Sequence, residues 1–301
     1  MAQLTTPIEI SLKNILVATD FSPAALAALT SVVPIAKQFD SVVHVVHVIH
    51  PREIDIASPA TDSEMCRQSN LDVQRKLNLL ETEVGTVPHR IWLREGKVSE
   101  AVEDIVRSQH IDLVAVGASG KSNLKKFFLG SIAEEIVRTA TCPVLTIGPH
   151  ASVSNCGELL AQLLYVTHFW EESHYGLQYA IRLATQYKSQ LLLLHVVEQD
   201  DPKQSDHEWL REYRRILRNL LPEDAGGLLV EPVLRVEVAK NSTARILQVA
   251  NEIGAGLIVM DIRPEEPWAT HLGDKVSEIV SRASCPVLTV HTKAEHDAWQ
   301  E

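Results

Sequence analysis

Cysteine is scarce: Cys66, Cys142, Cys156 and Cys285 are the only four, and no two stand in a Cys-x-x-Cys pair. That excludes a zinc-knuckle pattern and a disulfide framework, so reduced thiols are expected. No apolar run approaches the length needed to span a bilayer, and the opening Met1-Ala2-Gln3-Leu4 has no charged leader ahead of a long apolar stretch. The expectation is a soluble, cytoplasmic protein with no membrane partner. Positive charge is also short, with 28 Lys and Arg against 39 Asp and Glu and a formal net charge of -11. Such a chain repels nucleic acid and anionic lipid in general, so an anionic ligand must be held by a local concentration of donors and cations. Against these shortages stand 45% apolar and 22% charged residues over 301 positions, the composition of a globular protein long enough for about two domains.

The chain is written twice. Thr139-Ala140-Thr141-Cys142-Pro143-Val144-Leu145-Thr146-Ile147 returns as Arg282-Ala283-Ser284-Cys285-Pro286-Val287-Leu288-Thr289-Val290. Upstream, Leu113-Val114-Ala115-Val116 is echoed by Leu257-Ile258-Val259-Met260, and Val45-Val46-His47-Val48 by Leu193-Leu194-His195-Val196. This period is too long for a solenoid and indicates two tandem domains, 1–150 and 151–301. The stretch Gly148 to Gly157, with Pro149, Ser152, Ser154 and Asn155, reads as the linker.

In repeat one, unbroken apolar runs at Ile15 to Ala18, Val42 to Ile49, Leu113 to Val116 and Val144 to Ile147 predict strands buried on both faces, as in a parallel sheet covered by helices. Ser22-Pro23 supplies an N-cap and a first-turn proline for a helix over Ala24 to Lys37. Ser99 to Ser108 predicts a second helix, with Ala101, Val102, Ile105 and Val106 on one face. Alternating strands and helices with right-handed crossovers define an α/β fold of two doubly wound parallel-sheet domains, whose ligands bind at the carboxyl ends of the strands.

Directly after the Leu113 to Val116 strand comes Gly117-Ala118-Ser119-Gly120, and nine residues later Gly130-Ser131 opens a helix. Glycines there let a polyanion approach backbone N–H groups. Ser131 with Glu134 reads as a capping box, and a helix N-terminus suits a phosphate. Lys121, Lys125 and Lys126 add positive charge. Two other motifs fail: the glycine that a P-loop ending in Gly120-Lys121-Ser122 requires is Ala115, and no G-x-G-x-x-G follows the first strand.

The spacing G-x2-G-x9-G-S, and the words Val116-Gly117-Ala118-Ser119-Gly120 and Leu129-Gly130-Ser131-Ile132-Ala133-Glu134, resemble the nucleotide-binding signature of universal stress proteins. Ile15-Leu16-Val17-Ala18-Thr19-Asp20-Phe21-Ser22 resembles the family's first strand and turn, His47-Val48-Ile49 the end of its second strand, and Cys142-Pro143-Val144-Leu145 its last. The resemblance implies a Rossmann-like, adenine nucleotide alpha hydrolase-like fold that binds ATP, with or without magnesium. It makes Asp20 and the backbone around Val48 the adenine contacts, and Gly117, Ser119 and Gly120 the approach to ribose and phosphates. Gly130, Ser131 and Ile132 would hold the phosphates.

Repeat two has Asp261-Ile262-Arg263-Pro264 where repeat one has Gly117 to Gly120, Gly273-Asp274 for Gly130-Ser131, and His168 for Asp20. Asp261 and Asp274 would set two carboxylates where phosphates lie, and Pro264 removes a donor, while Asp274 still caps its helix. One nucleotide per chain is expected, in repeat one. Family members commonly dimerise through the last strand, which implies an intrachain pseudo-dimer through Pro143 to Ile147 and Pro286 to Val290; a homodimer beyond it is compatible with the sequence.

Three functions follow: a regulatory ATP-binding module acting in a stress response, a slow ATPase using Asp20 or a metal-bound water, or a nucleotide-free scaffold. No catalytic residue and no metal site is assigned. His44, His47 and His50 do not share one strand face, so they read as structural histidines. Arg211, Arg214, Arg215 and Arg218 interleave with Leu210, Ile216 and Leu217 and read as the solvated face of a helix with no nucleic-acid partner. Ala57 to Asn70 reads as a polar loop near the nucleotide mouth.

Overall fold

The computed structural model describes residues 10, 12–49, 75–76, 78–118, 129–151, 153, 155–167, 175–200, 207–221, 230–262 and 274–291. Repeat one runs β1 (Asn14–Ala18), α1 (Pro23–Phe39), β2 (Val42–Ile49), β3 (His89–Glu95), α2 (Val98–Ser108), β4 (Leu113–Gly117), α3 (Ser131–Thr139) and β5 (Val144–Ile147). A short α4 (Cys156–Ala161) leads into repeat two: β6 (Gln162–Val166), α5 (Tyr175–Tyr187), β7 (Gln190–Glu198), α6 (His207–Asn219), β8 (Val233–Ala239), α7 (Ser242–Ile253), β9 (Leu257–Ile262), α8 (Asp274–Arg282) and β10 (Val287–His291). The four strands expected in repeat one are present, β1 and β4 each one residue longer than their apolar runs.

Local chemistry explains the helix ends. The Ser22 hydroxyl accepts from Ala25 N, with Pro23 opening α1, and α1 closes on Asp40 in the left-handed region. Asn155 caps α4 by accepting from Glu158 N, so the expected linker ends in a helical turn. At α3 the structure corrects the expected capping box. Gly130, in extended backbone, is the N-cap and brings no side-chain cap, and Ser131 is the first helical residue. Asp274 likewise is the first residue of α8.

The strands form one sheet in the order β3-β2-β1-β4-β5-β10-β9-β6-β7-β8. Pairing is parallel within each repeat, and the two repeats join through β5 and β10, which run antiparallel with Leu145 opposite Leu288. The expected last-strand pseudo-dimer is therefore a continuous sheet. Each sheet face carries one apolar core that runs through both repeats. One contains Ile15, Val17, Leu29, Leu145, Leu163 and Leu177, the other Leu16, Val114, Ile136, Leu164, Ile258 and Ile279. Thr289 Oγ1 donates to Val144 O at 3.2 Å, and His291 Nε2 lies 2.8 Å from Val137 O of α3. Backbones approach closely at the seam: a Cβ on Gly148 would stand 2.4 Å from Val280 O. Cys142, Cys156 and Cys285 are buried free thiols, and burial pushes their pKa values up to about 12, 11 and 12. Thiolate chemistry is thereby suppressed.

Candidate functional site

The sheet order of repeat one reverses between β1 and β4, and in doubly wound sheets ligands bind beyond the carboxyl ends of the strands at such a switch point. Parallel pairing sets Leu16 level with Val114 and with His44, which aligns the ends of β1, β2 and β4 on one edge. Asp20, Val48 and Gly117 all emerge there, Asp20 and Val48 partly exposed.

The turn after β1 is held from several sides. Thr19 N donates to Val46 O at 2.9 Å, Phe21 N to Thr19 Oγ1 at 3.0 Å, and Ser22 N to Asp20 Oδ1 at 2.9 Å. Phe21 has φ 60, a left-handed backbone that a bulky residue rarely adopts without support. That support comes from His47, whose ring lies 4.4 Å from the Phe21 ring, and Lys76 Nζ sits 5.3 Å from the Phe21 centroid. His47 Nδ1 also lies 2.8 Å from Thr19 O, latching the end of β2 to the turn. Repeat two repeats the latch, with His195 Nδ1 3.0 Å from Thr167 O. Because the copy without the glycine motif keeps it, the latch belongs to the fold. His44 is buried, with Nε2 3.3 Å from Asn14 Oδ1 and Nδ1 accepting from Trp92 Nε1 at 3.2 Å. His50 lies outside the described residues.

Two glycines have duties the sequence does not announce. A Cβ on Gly117 would stand 2.4 Å from Ala24 O and 2.9 Å from Ala24 Cβ, so Gly117 lets the first turn of α1 lie on β4. Gly130 N donates to Ala118 O at 2.6 Å, which pins the stem of the intervening loop. That hydrogen thus has an internal acceptor. Ser131 and Ile132 follow on an exposed first turn of α3, Ile132 at 44% exposure. Ser119, Gly120, Lys121, Lys125, Lys126 and the stretch 57–70 lie outside the described residues.

At the same place in repeat two the chemistry is different. Asp261 is buried, its Oδ1 accepting from Gly176 N of α5 at 2.7 Å and its Oδ2 from the Tyr165 hydroxyl at 2.6 Å. The carboxylate thus turns beneath the first turn of α5, correcting the expectation that it lies where phosphates would. Glycine has changed sides: Gly117 makes room for Ala24 on α1, whereas Gly176 on α5 makes room for Asp261, whose carboxylate would meet a Cβ there at 3.0–3.2 Å. Burial pushes the Asp261 carboxyl up to about 6, outweighing the lowering by its two donors. Nearby, Glu198 accepts from Ser242 N and Oγ at the start of α7 and from Lys275 Nζ of α8 at 2.8 Å. Hydrogen bonds from Lys275 and Ser242 hold its carboxyl down at about 2. Pro264, Gly273 and His168 lie outside the described residues.

A doubly wound sheet, duplicated once and joined edge to edge, defines a class of tandem α/β proteins. The universal stress protein family model matches residues 11–148 and again 162–291, so the chain belongs to the universal stress protein family. Over 140 residues, 45% of this chain and 81% of the relative, it is 29% identical to a universal stress protein of Methanocaldococcus jannaschii. A second protein of that organism and description is 28% identical over 152 residues, 45% of this chain and 94% of its own length. A crystal structure of a universal stress protein from Archaeoglobus fulgidus superposes with TM-score 0.66 at 19% identity, covering 93% of this chain and 98% of that one, which supports the tandem fold.

Proposed function

We propose that the protein is an ATP-binding regulatory module whose first repeat holds one nucleotide per chain. The observation that carries this reading is the asymmetry at the switch point. In repeat one α3 begins at Gly130, which brings no side-chain cap, and Ser131 and Ile132 are exposed, whereas in repeat two the strand end that answers to Gly117 carries the Asp261 carboxylate and Lys275 in the first turn of α8, the counterpart of α3, is paired with Glu198.

The residues fit the ligand. An uncapped helix start offers backbone donors and about half a positive charge to a phosphate, which an acidic protein otherwise repels. Ser131 adds a hydroxyl, Gly117 keeps the strand end free of a side chain, and Asp20 and Val48 stand where an adenine edge would meet a carboxylate and a strand backbone. When bound, ATP would supply charge at the α3 N-terminus. The His291 contact to Val137 O links that same helix to the last strand of repeat two, a route by which occupancy could reach the seam between repeats.

Ser131→Pro tests this cleanly. Gly130 has ψ 144, the backbone a residue before proline prefers, and proline suits the first helical position, so the helix should persist. The variant loses one N–H and one hydroxyl. Hydrogen bonds to charged groups contribute about 1.5–3 kcal/mol, so titration calorimetry should show ATP binding roughly 10- to 100-fold weaker. Unchanged affinity in a folded Ser131→Pro protein would refute the site.

A further inference from the structure

The second repeat carries a charged feature that the described residues of the first do not repeat. Along α6, Arg211, Arg214, Arg215 and Arg218 recur at i, i+3, i+4 and i+7, which places them in one stripe, all exposed. With Pro232 and Leu234 of the β8 segment they line a cavity of about 420 Å³. The opposite stripe, Leu210, Tyr213, Leu217 and Leu220, packs into the core, so the helix is firmly seated. Among the described residues of repeat one, the helical residues 75–76 and 78–84 expose Arg75, Lys76, Asn78, Glu81 and Thr82, without a four-arginine stripe. Four guanidinium groups in one groove are a marked local excess on a chain of formal charge -11.

We propose that this groove, with the outer edge of β8, docks an acidic polypeptide segment in extended form. Three observations select that occupant. β8 is the terminal strand of the sheet, and among the described residues no strand pairs with its outer side, so its main chain can accept another strand. Val233 on β8 and Val230 just before it are 55% and 46% exposed, an apolar complement that a bare polyanion would not use. The spacing also matches. Neighbouring arginines on the stripe are ~5–6 Å apart, and alternate residues of an extended strand are separated by ~6.8 Å, so carboxylates at every second position can each meet a guanidinium. Arginine's planar fork suits a carboxylate bidentately. Its present partners show the same preference: Arg215 grips Glu212 at 2.9 and 2.6 Å, and Arg218 stands 4.0 Å from Glu231. Both pairs are exposed, so exchange for an incoming carboxylate is inexpensive. Single-stranded nucleic acid is disfavoured because, among the described residues, no aromatic ring lines the groove for bases to stack on.

The test is fluorescence anisotropy of a labelled, end-blocked Glu-Val-Glu-Val-Glu-Val-Glu peptide on the full chain with ATP present, together with amide hydrogen exchange of residues 233–239. The expected result is saturable binding to the wild type that weakens at least 10-fold in Arg211→Gln/Arg214→Gln/Arg215→Gln/Arg218→Gln, with slowed exchange in β8 on peptide addition. The quadruple Arg→Lys variant, which keeps charge and loses the fork, should fall between them. The proposal is overturned by equal binding to the Gln variant, by binding that leaves β8 exchange unchanged, by tighter binding of an oligothymidylate, or by self-association through this face, which would make a second copy the occupant.

Discussion

Replacing Asp261 by Asn should make the protein more stable at neutral pH and erase one component of its pH dependence. Asn keeps an oxygen for the Gly176 N–H, and its amide can donate to the Tyr165 oxygen, whose hydroxyl then turns to Thr167. The wild-type carboxyl, raised from 3.8 to about 6 by burial, binds its proton more tightly in the folded than in the unfolded chain. Between those values the native state therefore holds more protons, and stability falls as pH rises through the window. About two pKa units correspond to roughly 3 kcal/mol, fully expressed above about pH 7. The variant carries no such penalty. Urea unfolding of both proteins should show the stability gap in favour of Asp261→Asn widening by about 1.5 kcal/mol from pH 5 to pH 7.5. A gap that stays constant across that range would refute the assignment of a buried, proton-binding carboxyl at the α5 N-terminus.

Further expectations concern the seam and the close-packed glycines. Thr146 is fully buried with its hydroxyl unpaired, whereas its counterpart Thr289 donates to Val144 O, so Thr146→Val should stabilise the fold by about 1 kcal/mol and Thr289→Val should weaken it by about as much, read as opposite shifts in Tm. Gly117→Ala drives a Cβ into the Ala24 carbonyl and should cost about 1–3 kcal/mol in nucleotide-free protein, a loss of thermal stability that a purely ligand-facing glycine would not show. Burial lowers the pKa of His291, so the unfolded chain takes up a proton that the folded chain resists and the fold loses stability as pH falls below about 6.5. His291→Gln should flatten that acid sensitivity in urea unfolding.

The duplicated fold is legible in the apolar runs because strands buried on both faces leave an unbroken signature, as Val42 to Ile49 shows. The outer strands leave none. β3 interleaves His89, Arg90, Arg94 and Glu95 with Ile91, Trp92 and Leu93, since an edge strand is half wet and its pattern resembles a loop or a helix. α4 escaped notice because one turn capped by Asn155 is too short to show a period. At the site, the glycines were visible but not their duties. That Gly117 serves Ala24, that Gly130 gives its hydrogen to Ala118, and that Asp261 points beneath α5 all depend on where a neighbouring element approaches. The His47 latch did have a sequence signal: the histidine recurs at position 195, opposite a threonine at 19 and at 167, and a recurrence that outlives the glycine motif marks a structural residue.

The central claim, one nucleotide per chain held at the uncapped start of α3, is tested most directly by counting. Native mass spectrometry of the intact protein at saturating ATP should show a single adduct per chain, lost in Ser131→Pro and kept in Asp261→Asn. Two adducts per wild-type chain, or one that survives Ser131→Pro, would contradict it.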